Sequence, residues 1–426
     1  MSLTLRPPGD KSISHRVLML APLARGTSRV RGLLDAEDVR ATAAALRALG
    51  AGIPDDWSAE AAIPGPAAFR DAPGTLDCGN SGTTARILAG LVAGLGREAV
   101  LDGDASLRRR PMDRVVYPLQ ALGARIEYLG EEDRLPFRVH RRASGSLRRL
   151  LHRPKIASAQ VKSCLLLAGL ASGTRVEVAE PGRSRDHTER LLEAMGAPVT
   201  FGPEGDGARA VVEGDPEGHD LSPLELTVPG DASSAAFLVA AALLGDRPVR
   251  LEGVGLNATR TGFLEAVAQM GAELRVHDEG EEAGEPVGRI EAEPSELEAF
   301  ELGREIVPRV LDEIPVLSVA ATRARGTSVV RGAEELRVKE SDRLSLLAAN
   351  LDRIGVACRE REDGLEIEGT RGPLQGTVTT GGDHRMAMAF GILRGLPGCD
   401  VRVDDPDCVA VSYPGFWDDL DRLRTP

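Results

Sequence analysis

Val338-Lys339-Glu340-Ser341-Asp342-Arg343 crowds an ammonium, a carboxylate and a guanidinium into one short segment. The pattern predicts the first turn of a helix, with Lys339 and Arg343, four apart, on one face. A solvated ion-pair helix is the ordinary reading of such a segment, but similar clusters recur. Pro8-Gly9-Asp10-Lys11-Ser12-Ile13-Ser14-His15-Arg16 sets a lysine and an arginine across another helix start, and the helix that follows is wholly apolar. Cys78-Gly79-Asn80-Ser81-Gly82-Thr83-Thr84-Ala85-Arg86 is a glycine-bearing turn able to bring backbone N–H groups close to a phosphate, although no GxxxxGK[ST] loop is present. Gly381-Gly382-Asp383-His384-Arg385 adds an imidazole and a guanidinium, and Leu107-Arg108-Arg109-Arg110-Pro111-Met112 an arginine run of which one member is expected to face inward. Ser158-Ala159-Gln160, Asp231-Ala232-Ser233-Ser234 and Asp312-Glu313 complete the set. Together they can hold two phosphate-bearing anions and move protons between them.

The elements that carry these clusters repeat. Each polar start runs into an Ala/Leu-rich helix, a glycine turn and a Val/Arg strand, and the turn glycines Gly26, Gly96, Gly173, Gly245, Gly326 and Gly398 lie 70, 77, 72, 81 and 72 residues apart. A second, amphipathic helical pattern follows each strand, at 37–51, 112–124, 186–197, 259–272, 341–356 and 413–423. In the first five a glycine stands where a left-handed cap is wanted. Helix N-termini favour anions through unpaired N–H groups and the helix dipole, so the repeat aims several anion sites. Simple N-capping competes with that reading, most strongly for Asp231-Ala232-Ser233-Ser234. Segments 54–74, 202–220 and 278–288, rich in Gly, Pro and acids, read as surface loops.

The sequence has 426 residues, 42% of them hydrophobic, which exceeds one ordinary core and predicts two α/β domains of three repeats each. Crossings are expected at Pro7-Pro8-Gly9 and Val228-Pro229-Gly230. They make 1–9 with 229–426 one discontinuous domain and 10–228 an inserted one, with the active site in the cleft between them. The net charge of −13 argues against a nucleic-acid partner and requires local basic clusters for anionic ligands. Only Lys11, Lys155, Lys162 and Lys339 are lysines among the 52 basic residues, which marks them as places where a compact ammonium is wanted. Cys78, Cys164, Cys358, Cys399 and Cys408 form no CxxC pair, and the histidines lack metal-ligand spacing, so neither a disulfide framework nor a metal site is expected. MSLTLRPPGDKS has no apolar signal core and no stretch reaches the roughly 18–20 apolar residues of a membrane span, which predicts a cytoplasmic protein. No apolar surface helix demands a partner, and a monomer is expected.

At PGDKSISHR, CGNSGTTAR, RRRPMDR, ASAQVKS, SRDHTE, PGDASSAAF, DEIPVLS, VKESDR and GGDHRMAM, in order along the chain, this sequence resembles the 5-enolpyruvylshikimate-3-phosphate synthase family. The resemblance implies two domains, each of three βαβαββ units around a pseudo-threefold axis, an inside-out α/β barrel. It also implies two substrates, shikimate 3-phosphate and phosphoenolpyruvate, with no cofactor. Ser12 and Arg16 would bind the shikimate carboxylate; Ser158, the backbone at Ala159 and Arg185 its 3-phosphate, with Gln160 between the substrates. Lys11, Gly82, Arg110, Arg343 and Arg385 would grip phosphoenolpyruvate. Asp312 would take the proton of the 5-hydroxyl with Lys339 nearby, and Glu340, helped by Lys11, would protonate the methylene. The family's glyphosate sensitivity would be expected beside Gly82. One departure stands out: Val411 precedes Ser412-Tyr413-Pro414 where many members carry lysine, leaving Arg110 or Arg385 to compensate. Enolpyruvyl transfer to UDP-N-acetylglucosamine is the nearest rival, but its pattern has a reactive cysteine on the loop corresponding to 104–114, and DASLRRRPMDR has none. A non-catalytic anion binder would not need Asp312 and Glu340 beside its cations, and RNA 3′-end chemistry conflicts with the net charge.

Overall fold

A computed structural model describes residues 2–143, 147–215 and 217–425; Met1 and Pro426, the outer bounds of the expected domains, and Pro216, within the expected 202–220 loop, lie outside them. The six Ala/Leu-rich runs are the helices α1 (Lys11–Leu20), α2 (Gly82–Leu95), α3 (Ala159–Ser172), α4 (Ala232–Leu244), α5 (Ile314–Ala321) and α6 (His384–Gly391). Nearly every residue of α3, α4 and α5 beyond the first turn is buried, as befits helices apolar on all sides. The second helix of each repeat buries one face only, as Arg343–Arg353 does with Arg343, Leu344, Leu347, Asn350 and Leu351. The glycines that follow five of these amphipathic helices, Gly50, Gly123, Gly196, Gly271 and Gly355, all have positive φ.

The chain divides into two compact units, Gly9–Val228 with Glu282–Glu285, and Met1–Pro8 with Pro229–Glu281 and Pro286–Pro426. The first holds α1, α2 and α3 and three sheets. Thr75–Asp77, Ala99–Asp102, Phe137–Val139 and Ile126–Tyr128 form one, in that order; the first pair is parallel and flanks α2 in sequence. Leu150–His152, Val176–Glu180, Gly207–Val212 and Val199–Glu204 repeat the pattern around α3. The third sheet has Gly26–Arg31 between Glu225–Thr227 and Ala61–Gly65.

The other unit also has three sheets. Two are four-stranded, Leu3–Leu5/Val249–Gly255/Glu285–Ala292/Leu274–Glu282 and Glu301–Leu302/Thr327–Val330/Gly364–Glu368/Cys358–Arg361. The third is a parallel pair, Leu374–Val378 and Cys399–Val403. A strand that precedes one core helix has changed places in each unit. Glu225–Thr227 runs into α4 but pairs with the strand after α1, while Leu3–Leu5 pairs with the strand after α4. The fold is thus α/β with several small mixed sheets, and no sheet closes into a barrel among the described residues. Among the described residues four of the six sheets have four strands; the one built on Gly26–Arg31 has three and the one built on Leu374–Val378 has two.

The three expected loops contain strands. Ala61–Gly65 lies inside 54–74, the hairpin Val199–Glu204/Gly207–Val212 runs into 202–220, and Leu274–Glu282/Glu285–Ala292 cover most of 278–288. Their outward residues, such as Ala62, Pro64, Thr200, Asp278 and Glu279, are small, polar, charged or proline, so composition read as loop while the backbone ladder was free to form.

Candidate active site

Five polar starts cap their own helices. Asp10 accepts from the Ile13 N–H, Ser81 from Thr84, Ser158 (at 3.5 Å) from Val161, Asp231 from Ser233 and Ser234, and Asp383 from Arg385. Capping uses one residue of each cluster and leaves the rest for other work. Only α5 lacks a side-chain cap: it is entered through the 3₁₀ turn Leu311–Glu313, on which Asp312 sits.

In the Gly9–Val228 unit, Lys11 opens α1 and its Nζ meets Asp38 at 2.9 Å. One turn on, the buried Arg16 donates to Thr188 Oγ1 (2.7 Å), Ser163 Oγ (2.8 Å) and the Ser12 carbonyl (2.8 Å). Burial pulls its guanidinium down to about 10, against the opposing pull of Glu189 and Asp10. His15, on the same helix, is held well below its ordinary range by burial and by the Lys11 and Arg16 charges. Its Nδ1 meets Thr42 Oγ1 at 2.7 Å, and the hydroxyls of Thr42, Thr84 and Ser81 continue the chain at 2.7 and 2.8 Å to the start of α2.

Gly82 is the first residue of α2. A Cβ there would stand 2.8 Å from Arg86 Nη1 and 3.4 Å from Arg110 Nη1, so the missing side chain is the space two guanidinium groups occupy. Arg86 donates to Gln160 Oε1 at 2.8 Å and Gln160 Nε2 to Thr83 Oγ1 at 3.1 Å, while Arg110 reaches Asn80 and Ser106. Gly82, Arg110 and Gln160 are therefore brought together. Arg86 carries no assigned role in the sequence motif, and its place one helical turn after Gly82 is the only signal there that it joins this group. Ser158 and Ala159 begin α3, and the half-buried Arg185 lies in the loop before helix His187–Ala194, close enough for its charge to act on Arg16.

In the other unit the centre is Arg343, 1% exposed. Its Nε and Nη2 meet the two oxygens of Asp383 at 2.7 and 3.2 Å, Nη2 meets Glu340 at 2.6 Å, and Nη1 meets Asp312 at 3.4 Å. Burial opposes its charge, but Asp383 and Glu340 outweigh it and hold the guanidinium above its usual value. Arg385 donates to the Asp312 carbonyl at 3.0 Å and stands 3.8 Å from its carboxylate. Asp312, Glu340, Arg343 and Arg385 thus form one cluster, tied together by Asp383, which the sequence had marked only as part of a turn. The expected first-turn placement of Lys339 and Glu340 is corrected: the helix begins at Arg343, capped by Asp342, and both residues lie in the link from the 3₁₀ turn Glu334–Val338. Asp342 accepts from the Ser345 N–H and so fixes the start later than the charge pattern implied. Lys339 Nζ reaches Glu335 at 3.4 Å. Val411 ends the short turn Asp407–Val411.

A family model for EPSP synthase (3-phosphoshikimate 1-carboxyvinyltransferase) matches residues 1–420. The 3-phosphoshikimate 1-carboxyvinyltransferase of a Synechococcus strain is 45% identical over 427 residues, covering 99% of this chain and 96% of its own. That of Gloeobacter violaceus is 47% identical over 420 residues, covering 98% and 95%. Among solved structures, EPSP synthase from Acinetobacter baumannii is similar with a TM-score of 0.85 and 38% identity, over 99% of this chain and 95% of that one. An enolpyruvyl transferase from Streptomyces tendae shares the fold at a TM-score of 0.76 and 18% identity, over 99% and 95%. With the polar starts in place and the match running along nearly its whole length, this chain belongs to the EPSP synthase family.

Proposed function

We propose that this protein transfers the enolpyruvyl group of phosphoenolpyruvate to the 5-hydroxyl of shikimate 3-phosphate, releasing phosphate, on the route to chorismate and the aromatic amino acids. The observation that carries this reading within the family is the Arg343 cluster, where two partly exposed carboxylates, Asp312 and Glu340, share one buried guanidinium beside Arg385. An anion binder has no use for carboxylates there; an acid–base pair does. Ser12 and Arg16 take the shikimate carboxylate, Ser158, Ala159 and Arg185 the 3-phosphate, and Gln160 lies between the substrates. Lys11, Gly82, Arg110, Arg343 and Arg385 hold phosphoenolpyruvate.

Asp312, with Lys339, accepts the 5-hydroxyl proton while Glu340, assisted by Lys11, delivers a proton to the methylene carbon. The hydroxyl oxygen bonds to the carbon that becomes cationic, giving a tetrahedral ketal. Loss of a proton from the new methyl group and of phosphate restores the vinyl ether. Fixed guanidinium groups stabilise the departing phosphate, a role they fill without reorganising. With Val411 uncharged, Arg110 or Arg385 carries that load. The enzyme works as a cytoplasmic monomer on two small anions without a metal or organic cofactor, and no helix among the described residues is long and apolar enough to cross a membrane.

The UDP-N-acetylglucosamine reading is disfavoured by the cysteines. Burial pushes the Cys78 and Cys164 thiols up, and those of Cys358 and Cys408 to about 12, which leaves little thiolate in them. The test is phosphate release from phosphoenolpyruvate with each acceptor separately. Release is expected with shikimate 3-phosphate, and release with the sugar nucleotide alone overturns the assignment. Glyphosate should compete with phosphoenolpyruvate; activity unchanged at saturating glyphosate and low phosphoenolpyruvate would sink that extension.

A further inference from the structure

Behind the start of α3 lies a buried set of charges that the reaction does not use. Lys162 Nζ is 2.9 Å from Glu180 Oε2 and 2.9 Å from Glu189 Oε1, and the side chains are 3%, 1% and 1% exposed. Taking three charges out of water is costly, and a well-packed apolar trio of similar volume would commonly be at least as stable. Stability alone therefore gives no reason for them. Where they connect does. Glu180 Oε1 accepts the backbone N–H of Ser158 at 2.7 Å, and its Oε2 accepts the hydroxyl of Ser184 at 2.6 Å. One carboxylate thus ties the residue that caps α3 to the residue beside Arg185. Glu189 is the neighbour of Thr188, whose hydroxyl receives Arg16 and donates to Ser163.

We infer that Glu180, fixed in place by Lys162, is a positioning residue for the 3-phosphate of shikimate 3-phosphate, holding the Ser158–Ala159 helix start and the Ser184–Arg185 loop at the spacing one phosphate requires. The inference rests on the proposed function and extends it by a residue that touches no substrate. With the Ser158 N–H turned back to Glu180 and the Val161 N–H capped by the Ser158 hydroxyl, the Ala159 and Gln160 N–H groups at the start of the first turn face the phosphate. A bare carboxylate behind an anion site would repel the ligand, and the Lys162 ammonium, 2.9 Å from Glu180 and shared with Glu189, offsets part of that repulsion. Burial weakens the ammonium, but Glu189 and Glu180 outweigh it and hold Lys162 above its ordinary value, so the offsetting charge is present at neutral pH.

The experiment compares binding of shikimate 3-phosphate with binding of shikimate, which lacks the phosphate, by calorimetry, together with KM for each substrate. The wild type, Glu180→Gln and Ser184→Ala are measured. Glu180→Gln keeps the shape and one acceptor but sets an amide against Lys162 or Ser184; Ser184→Ala removes only the loop tether, and being at a half-buried position it is expected to fold even if the first variant does not. Both should weaken shikimate 3-phosphate, Glu180→Gln by about tenfold or more and Ser184→Ala by about threefold, in the range of one to two lost hydrogen bonds. Shikimate affinity and the KM for phosphoenolpyruvate should change less than twofold. A parallel loss for shikimate and shikimate 3-phosphate, or no loss for either variant, overturns the positioning role. Wild type that neither prefers the phosphorylated ligand nor releases phosphate would instead count against the proposed function.

Discussion

Asp312, the proposed general base, is the residue whose loss is expected to separate chemistry from binding. It lies on a 3₁₀ turn between two guanidinium groups that remain anchored without it, Arg343 by Asp383 and Glu340, and Arg385 by the Asp312 backbone carbonyl. Asp312→Ala is therefore expected to retain substrate binding by calorimetry while kcat falls about a thousandfold, the scale of a lost general base. A loss under tenfold rejects that role. His15 offers a different test. Kept neutral by burial and flanking cations, it binds fewer protons folded than unfolded as pH falls below about 6.5, so stability declines with falling pH until its lowered folded value is reached and then levels off. His15→Asn retains a partner for Thr42 and removes the titration. Urea unfolding at pH 7 and pH 5 should show a smaller acid loss in the variant, by up to about 1.4 kcal/mol per pH unit. Equal losses in both proteins would show that His15 contributes nothing to the acid sensitivity.

At the scale of elements, the same helix is reused with different work assigned to its start. A capping residue occupies one position in five of the six, and only α5 dispenses with it, which frees Asp312 on the approach turn. The helices also pack unusually closely. A Cβ on Gly90 would lie 2.0 Å from the Cys164 carbonyl oxygen, and one on Gly94 2.8 Å from that of Ala168, so α2 and α3 meet backbone to backbone through two glycines four apart. Gly90→Ala has good helix propensity and nowhere to put its methyl. It should lower the melting temperature by several degrees, corresponding to about 1–3 kcal/mol of overpacking, and weaken binding of shikimate 3-phosphate, whose proposed ligands open α3. An unchanged melting curve would mean the two helices can separate without cost. These glycines sit in the Ala/Leu-rich runs and look like weak points in the sequence, since their reason is a neighbour some 70 residues away.

For the molecule as a whole, the traded strands matter most. Leu3–Leu5 pairs in parallel with Val249–Leu251, Leu5 is buried, and the Pro8 carbonyl accepts the N–H of Asp231, the residue that caps α4. Deleting residues 2–7 should expose the edge of Val249–Leu251 and loosen α4, seen as faster hydrogen exchange in those segments, with roughly 2 kcal/mol lost from Leu5 alone. Unaltered exchange there would show the strand to be dispensable.

The sixfold period, the buried helices, the amphipathic second helices and their glycine stops were legible in the order of residues, because each depends on local periodicity and on a backbone angle only glycine takes readily. The family resemblance was equally legible, since the polar starts appear in order along the chain. Other features depended on residues far apart in sequence. Arg86 beside Gly82 and Gln160, Asp383 under Arg343, the late start of the Arg343 helix and the Lys162–Glu180–Glu189 set are all products of packing, where a partner's identity is unknown until the chain has folded. The strands hidden in 54–74, 202–220 and 278–288 belong here too, because composition reports what faces water and only the ladder reports what the backbone does. Local chemistry named the tools; the tertiary structure decided which of them meet, because partners far apart in sequence are joined only by packing.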